Sequence, residues 1–408
     1  MGFLGRLFGA PTMDKLVRDV ARELDSRGAQ DLKVDLEQGE MGFRLHGSEM
    51  KLFLGNLLHD LQRCPRAQRA ALFQRFLDGV LTPDNAIPAS YDEARPRLLP
   101  VVRRRGDIGI VALSTQSATD DPTKQFIPAT RPLVGDLVVA LVCDRPTSMA
   151  YVNEPELPRW QVTFDQALAD ALDNLRGLPE HGGWRQVGQG VWSGEWGDAY
   201  DSSRILLPDL IHRVGVRDPV VAVPFRNALM LTSAGNEAGI ARMAQVVRDH
   251  AQDNQRWLSF QLLRLEGTEW LPHAPLVAVD DWHQLKLRNE ASLADNQKEL
   301  LDAAHERQGI DLFVAHYQML ARDDLGTLSF CIWSDGVDTL LPHTEFVMFH
   351  PAGQPASLDN VVLVAWDAAR SVAGELMEAT GHEPERRRVR RFPDAAQLAR
   401  LRELAISL

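Results

Sequence analysis

The chain has 408 residues, 45% of them hydrophobic and 25% charged, with a formal net charge of -12. That length supports two or three domains, each able to bury its own core. The acidic balance argues against general affinity for a nucleic-acid polyanion, and no apolar run approaches the length of a bilayer span.

Cysteine usage points to a compartment. Cys64, Cys143 and Cys331 are far apart and odd in number, with neither the spacing of a metal knuckle nor a disulfide framework. A reducing cytoplasm is the expectation. Cys143 ends an apolar run and reads as a small buried hydrophobe.

The first nine residues carry an apolar patch interrupted by Arg6, which is too short for a signal peptide. Phe3, Leu4, Leu7 and Phe8 share one helical face, suited to a weak contact with a membrane surface or a partner. The simpler reading is a segment docked on its own domain. Met13 to Leu24 then shows helical periodicity, with Gly28 as its stop. Leu32 to Leu36 and Phe43 to Leu45 alternate as a hairpin. Helical spacing returns from Met50 to Leu61 and from Ala67 to Leu81, divided by Pro65. Pro83, Pro88, Pro96 and Pro100 mark a linker.

A second segment opens near Leu98, with strands expected at Leu99 to Arg103 and Ile108 to Leu113 and an exposed loop from Ser117 to Lys124. Leu137 to Cys143 is seven apolar residues in a row, as for a strand covered on both faces. Thr163 and Gln166 have the spacing of a capping box, ahead of a helix with Phe164, Leu168, Leu172 and Leu175 on one face. Trp184 to Trp196 reads as a hairpin turning at Gly188-Gln189-Gly190. Asp201 or Ser202 starts a short helix, and Val220 to Leu231 forms a hairpin across Arg226-Asn227. Asn236 caps a helix, and Trp257 to Leu265 closes the segment as a strand.

Gly267, Pro272 and Pro275 suggest a linker that also holds Asp280-Asp281-Trp282-His283. A helix from Ser292 to Gly309 follows, then strands at Leu312 to Leu320, Leu328 to Trp333, Phe346 to Phe349 and Val361 to Trp366. Asp367 is expected to cap the next helix. A basic strand from Arg386 to Arg391 and a final helix from Asp394 end the chain.

Complete catalytic signatures are missing. There is no phosphate loop ending in Lys-Ser/Thr, no Gly-x-Ser-x-Gly elbow and no His-Glu-x-x-His helix. The sequence suggests no cofactor. His316, His343 and His350 read as ordinary histidines more readily than as metal ligands, and no metal site is assigned. His343 and Glu345 lack the Cys pair that a zinc deaminase needs.

Two clusters stand out as candidate binding residues. Tyr200, Asp201 and Arg204, with Arg226 in the neighbouring hairpin, combine a phenol, a carboxylate and guanidiniums. The same residues suit a helix cap with a buried ion pair. Arg386, Arg388 and Arg390 belong to the densest charge in the chain, suited to holding carboxylates or phosphates. The favoured reading is an edge strand protected by charge, with Glu383 and Glu385 as available partners for the arginines.

The phrases Ala167-Leu168 to Asn174-Leu175, Tyr200-Asp201-Ser202-Ser203-Arg204-Ile205-Leu206 and Val221-Ala222-Val223-Pro224 with Arg226-Asn227 resemble the YtpQ-like family of bacterial proteins, a domain-of-unknown-function family. The resemblance covers about residues 13–265. Ser202 stands where the family tends to have Ala, and Asn227 where it more often has Asp. It implies no activity, cofactor or catalytic residue.

The expectation is a cytoplasmic α+β protein, with mixed sheets and helices packed on them. Its segments are an αββα domain over 1–82, a central YtpQ-like domain over 97–266 and a C-terminal αβ module over 283–408. The expected function is a non-enzymatic binding or regulatory protein whose partner is a protein or a small acidic ligand. The alternative is a hydrolase or transferase of unfamiliar type, with its site near Tyr200 to Arg204.

Overall fold

The structure, a computed structural model, describes residues 11–35, 40–45, 48–81, 87–118, 126–145, 149–178, 182–198, 200–251, 257–274, 280–322, 326–353 and 361–406. The amphipathic patch at Phe3 to Phe8 lies outside them, as does most of the loop expected up to Lys124. The chain divides into two compact units, one of Met1–Leu98 with Val142–Ala150 and one of Leu99–Leu141 with Tyr151–Leu408. Among the described residues no helix is long and apolar enough to cross a membrane.

In the first unit α1 (Met13–Ser26) precedes β1 (Gln30–Asp35), β2 (Glu40–Leu45) and β3 (Ser48–Phe53), followed by α2 (Gly55–Arg63), α3 (Arg69–Leu81) and the one-turn α4 (Tyr91–Ala94). The three strands form an antiparallel sheet in the order β1-β2-β3. Period-four spacing puts Leu16, Val20 and Leu24 on one face of α1. Alternation puts Met41, Phe43 and Leu45 on one face of β2, and the two sets share a core with Phe73 and Leu77 of α3. Met50 to Phe53, expected as the start of a helix, is instead the third strand. Its pairing with β2 supplies backbone partners that helical periodicity cannot show.

The remaining elements begin with β4 (Leu98–Arg104), α5 (Arg105–Ala118), β5 (Thr130–Val134), β6 (Leu137–Asp144), β7 (Met149–Tyr151), α6 (Glu156–Arg159) and α7 (Phe164–Arg176). They continue with β8 (Gly183–Gly188), β9 (Val191–Glu195), α8 (Pro208–His212), β10 (Pro219–Ala222), β11 (Met230–Ser233), α9 (Glu237–Ala251), β12 (Leu262–Glu266) and β13 (Glu269–His273). A long helix, α10 (Asp280–Gln308), leads to β14 (Phe313–Val314), β15 (Gln318–Arg322), β16 (Gly326–Ser334), β17 (Thr339–Pro342), β18 (Phe346–His350) and β19 (Val362–Ala365). Last come α11 (Trp366–Ala373), β20 (Glu378–Ala379), β21 (Arg386–Val389) and α12 (Ala395–Glu403).

The fold is α+β. A six-stranded antiparallel sheet runs β13-β12-β10-β11-β9-β8, and β4, β6 and β5 form a smaller one. Two four-stranded mixed sheets, β14-β17-β21-β20 and β15-β16-β18-β19, make up the C-terminal part. Strand alternation splits the central hairpin between two cores. Val221, Leu231 and Leu263 face one side, while Val220, Met230 and Leu262 face α9 through Ile240, Met243 and Val247. In the C-terminal sheets Trp333, Val347 and Phe349 pack against Ala369 and Val372 of α11 and Leu401 of α12. Cys331 lies in this core, where burial pushes its thiol up to about 12.

Several expectations need correction. Ile108 to Leu113 is part of helix α5, because Gly106 and Gly109 let that segment lie against Leu293, Glu383 and Pro384 more closely than a strand with side chains could. Trp257 to Leu265 is not a single strand. Trp257 makes an isolated bridge to Phe225, the continuous ladder starts at Leu262, and the supposed linker at Gly267 is the turn of a second hairpin, with Gly267 at φ +64. Leu312 to Leu320 divides into β14 and β15, which join different sheets. The basic strand β21 is no edge strand, since β17 and β20 flank it. The largest shift concerns α10, which begins at Asp280, twelve residues before the expected start at Ser292.

Candidate ligand-binding cleft

The four residues proposed around Tyr200 form an internal brace. Arg204 is 4% exposed and donates from both terminal nitrogens to Asp198, at 2.8 and 2.7 Å, while its guanidinium lies 4.5 Å over the Trp196 ring. Asp201, also buried, makes no forward cap to its own short helix. It reaches back and accepts from the Trp196 backbone N–H at 2.9 Å. Burial, with the neighbouring Asp198 carboxylate, pushes the Asp201 carboxyl up to about 6, against the pull of the backbone donors and Arg204. Tyr200 is buried too. Arg226 is half-buried, 3.9 Å from Asp107 on α5, and its backbone carbonyl accepts from Ser202 Oγ at 2.7 Å.

The basic strand is likewise committed internally. Arg386 is 1% exposed and donates to Gln297 and to the carbonyls of Ala294, Ala315 and Leu340. Desolvation lowers its pKa to about 10, so it stays charged at neutral pH. Arg388 forms a two-point pair with Asp338 at 2.9 and 2.6 Å, which pulls the Asp338 carboxyl below the usual range. Arg390 lies 3.3 Å from Glu378 and Arg387 bonds Glu385 at 2.6 Å. His343 packs edge-on against Trp366, and Glu345 accepts from the Ser329 backbone and hydroxyl. Among the described residues no group of three or more His, Cys, Asp or Glu could hold a metal ion.

A cleft of about 550 Å³ lies elsewhere in the second unit, where the first turns of α10 face the six-stranded sheet. Its apolar lining is Ile240 and Ala244 from α9, Leu262 at the start of β12 with Phe260 just before it, and Trp282 from α10. The Phe260 and Trp282 rings meet edge to face at 6.1 Å, and Trp257 stacks on Phe260 at 4.6 Å. Trp282 Nε1–H donates to the Phe260 carbonyl, fixing the indole. Gly135, at φ +57 in the turn between β5 and β6, leaves room for the Gln261 side chain over its Cα.

The polar wall is built from three places. Arg104 ends β4, Asp136 sits in the β5–β6 turn, and His283, Lys286 and Glu290 follow Trp282 along α10. Asp136 accepts from Ser259 Oγ at 2.7 Å and lies 4.0 Å from Arg104 Nε, while Arg104 also donates to Asn289. Glu290 accepts from the Tyr317 hydroxyl at 2.9 Å. Burial and that carboxylate hold the Tyr317 phenol far above its ordinary pKa, so it stays a donor. His283 is 3.3 Å from Glu345 and 3.2 Å from the Thr327 carbonyl. Lys286 sits 3.8 Å from Glu290, outside hydrogen-bonding distance. Burial and Arg264 lower the His273 pKa, so its ring is neutral at pH 7.

None of the known proteins compared matches this chain: no family model, no curated protein and no solved structure.

None of the cleft's residues was singled out as a binding candidate from the sequence. Trp282, Lys286 and Glu290 stand at i, i+4 and i+8, one helical face, and that spacing is the signal that was available. It was obscured because the Asp280 to His283 stretch, with three charged or polar residues of four, reads as a loop.

Proposed function

We propose that this chain is a non-enzymatic binding protein and that the cleft between α10 and the six-stranded sheet is where it binds. The observation that carries this reading is a space of about 550 Å³ lined by both aromatic and charged side chains. That volume and lining suit a small organic molecule. The brace around Asp201 and Arg204 supports it from the other direction, because those groups are buried and already spent on Trp196 and Asp198. Membership of residues 13–265 in the YtpQ-like family, supported by the phrases quoted above, belongs to the same proposal and adds no activity.

The test is ligand-observed NMR of a fragment library against the whole protein and against Trp282→Ala. Fragments that bind the parent unchanged over hours and lose binding in the variant are the expected result. Binders indifferent to Trp282, or fragments converted chemically by the parent, overturn the reading.

A further inference from the structure

Two cations of the cleft, Lys286 and Arg104, keep N–H groups that no described residue accepts. Its carboxylates are occupied: Asp136 by Ser259, Glu290 by Tyr317, and the adjoining Glu345 by Ser329 and His283. Among the described residues the Lys286 ammonium makes no hydrogen bond, and its nearest carboxylate oxygen is 3.8 Å away. The His273 ring and the Gln261 side-chain amide line the same space, each with both a donor and an acceptor that make no hydrogen bond to a described residue. Arg104 spends one terminal nitrogen on Asn289 and holds its Nε 4.0 Å from Asp136. Such a lining is complementary to an acceptor-rich group.

Charge narrows the class further. Arg104 and Lys286 are balanced by Asp136 and Glu290, and a neutral His273 adds nothing. A single negative charge fits that balance better than a phosphate dianion. The apolar wall of Phe260, Trp282, Ile240 and Leu262 calls for a flat hydrocarbon body beside the charge.

Resting on the binding reading above, we propose that the ligand is a small aromatic monocarboxylate, its ring against Phe260 and Trp282 and its carboxylate against Lys286 and Arg104. Lys286 is the cation free to swing, since its side chain is 43% exposed and attached to a helix that the ligand need not move.

Isothermal titration calorimetry of matched triads tests this on the full chain. Benzoate, 1-naphthoate and indole-3-acetate are each compared with the corresponding primary amide and amine. The carboxylates are expected to bind at least tenfold more tightly than the amides. Lys286→Met removes most of that difference by weakening the carboxylates far more than the amides, and Trp282→Leu weakens carboxylate and amide together. Amides or amines binding as well as the acids, with dependence on Trp282, would overturn the ligand class and leave the cleft as a binding site. No Trp282-dependent binding by any member of the triads, or by the fragment library, overturns both.

Discussion

Gln297 accepts from Arg386 Nε at 2.6 Å and, through its own amide nitrogen, donates to the Pro384 carbonyl at 2.7 Å. One buried amide on α10 thus holds both the side chain that begins β21 and the backbone just before it. Among the described residues no carboxylate hydrogen-bonds Arg386; carbonyl oxygens and this amide oxygen solvate the charge. Gln297→Leu leaves a desolvated guanidinium short of an acceptor, and about 2–3 kcal/mol of stability should be lost. Arg386→Met on the same background removes the stranded charge, so the double variant should lose less than the sum of the singles. Urea unfolding of the four proteins checks this, and strict additivity would show that the two residues are not coupled.

A second prediction concerns Arg204. Its two-point bond to Asp198 and its stacking over Trp196 use the flat guanidinium in two ways at once. Lysine keeps the charge and loses both the fork and the stack. Arg204→Lys and Arg204→Met should therefore each destabilise the chain by about 3 kcal/mol. Denaturation midpoints measure it. Full rescue by lysine would mean that only the charge matters.

The sequence was most readable where one segment settles its own conformation. The capping box at Thr163 and Gln166 forms as its spacing implies, and the final helix starts after Asp394 as expected. The hairpin expected across Arg226-Asn227 forms, with Val220 to Ala222 paired to Met230 to Thr232. Misreadings gather where a distant partner decides. Ile108 to Leu113 has strand-like composition, yet the glycines that precede and interrupt it admit α10 and the Glu383 turn. On α10 the buried positions Leu287, Ala294 and Leu301 recur every seven residues, but the fourth, Gln297, is polar and breaks the apolar pattern. The cleft depended on that helix, so it went unread too. Asp201 was placed as a forward cap because spacing says nothing about a carboxylate turning back to Trp196.

Asp201 supplies a pH dependence. An acid whose pKa rises on folding holds its proton more tightly in the folded chain than in the unfolded one. Its stabilising contribution is complete below the ordinary aspartate value of 3.8 and is lost as pH rises through about 6. The burden at pH 7.5 is at most about 3 kcal/mol. Asp201→Asn keeps an oxygen for the Trp196 N–H and abolishes the titration. The variant should be more stable than the parent at pH 7.5, and that advantage should shrink toward zero near pH 4. Urea midpoints at the two pH values decide it; an advantage independent of pH would place the effect elsewhere.

Gly109 is where α5 comes close to the Glu383 backbone. A Cβ there would stand 2.1 Å from the Glu383 carbonyl oxygen and 2.5 Å from the Glu383 Cβ. The first of these is backbone, which cannot swing aside, so the helix or the turn has to move. Alanine improves helix propensity by about 1 kcal/mol, and overpacking typically costs about 1–3 kcal/mol, more when the obstacle is rigid. The clash wins, and Gly109→Ala should destabilise the chain by about 2 kcal/mol. Gly106 is the control, because the nearest atom to its added Cβ is the Leu293 Cδ2 at 2.5 Å, the end of a flexible side chain. Gly106→Ala should therefore cost less than Gly109→Ala. Equal stability of Gly109→Ala and the parent in urea, with unchanged near-ultraviolet circular dichroism, would mean that α5 does not lie against Glu383.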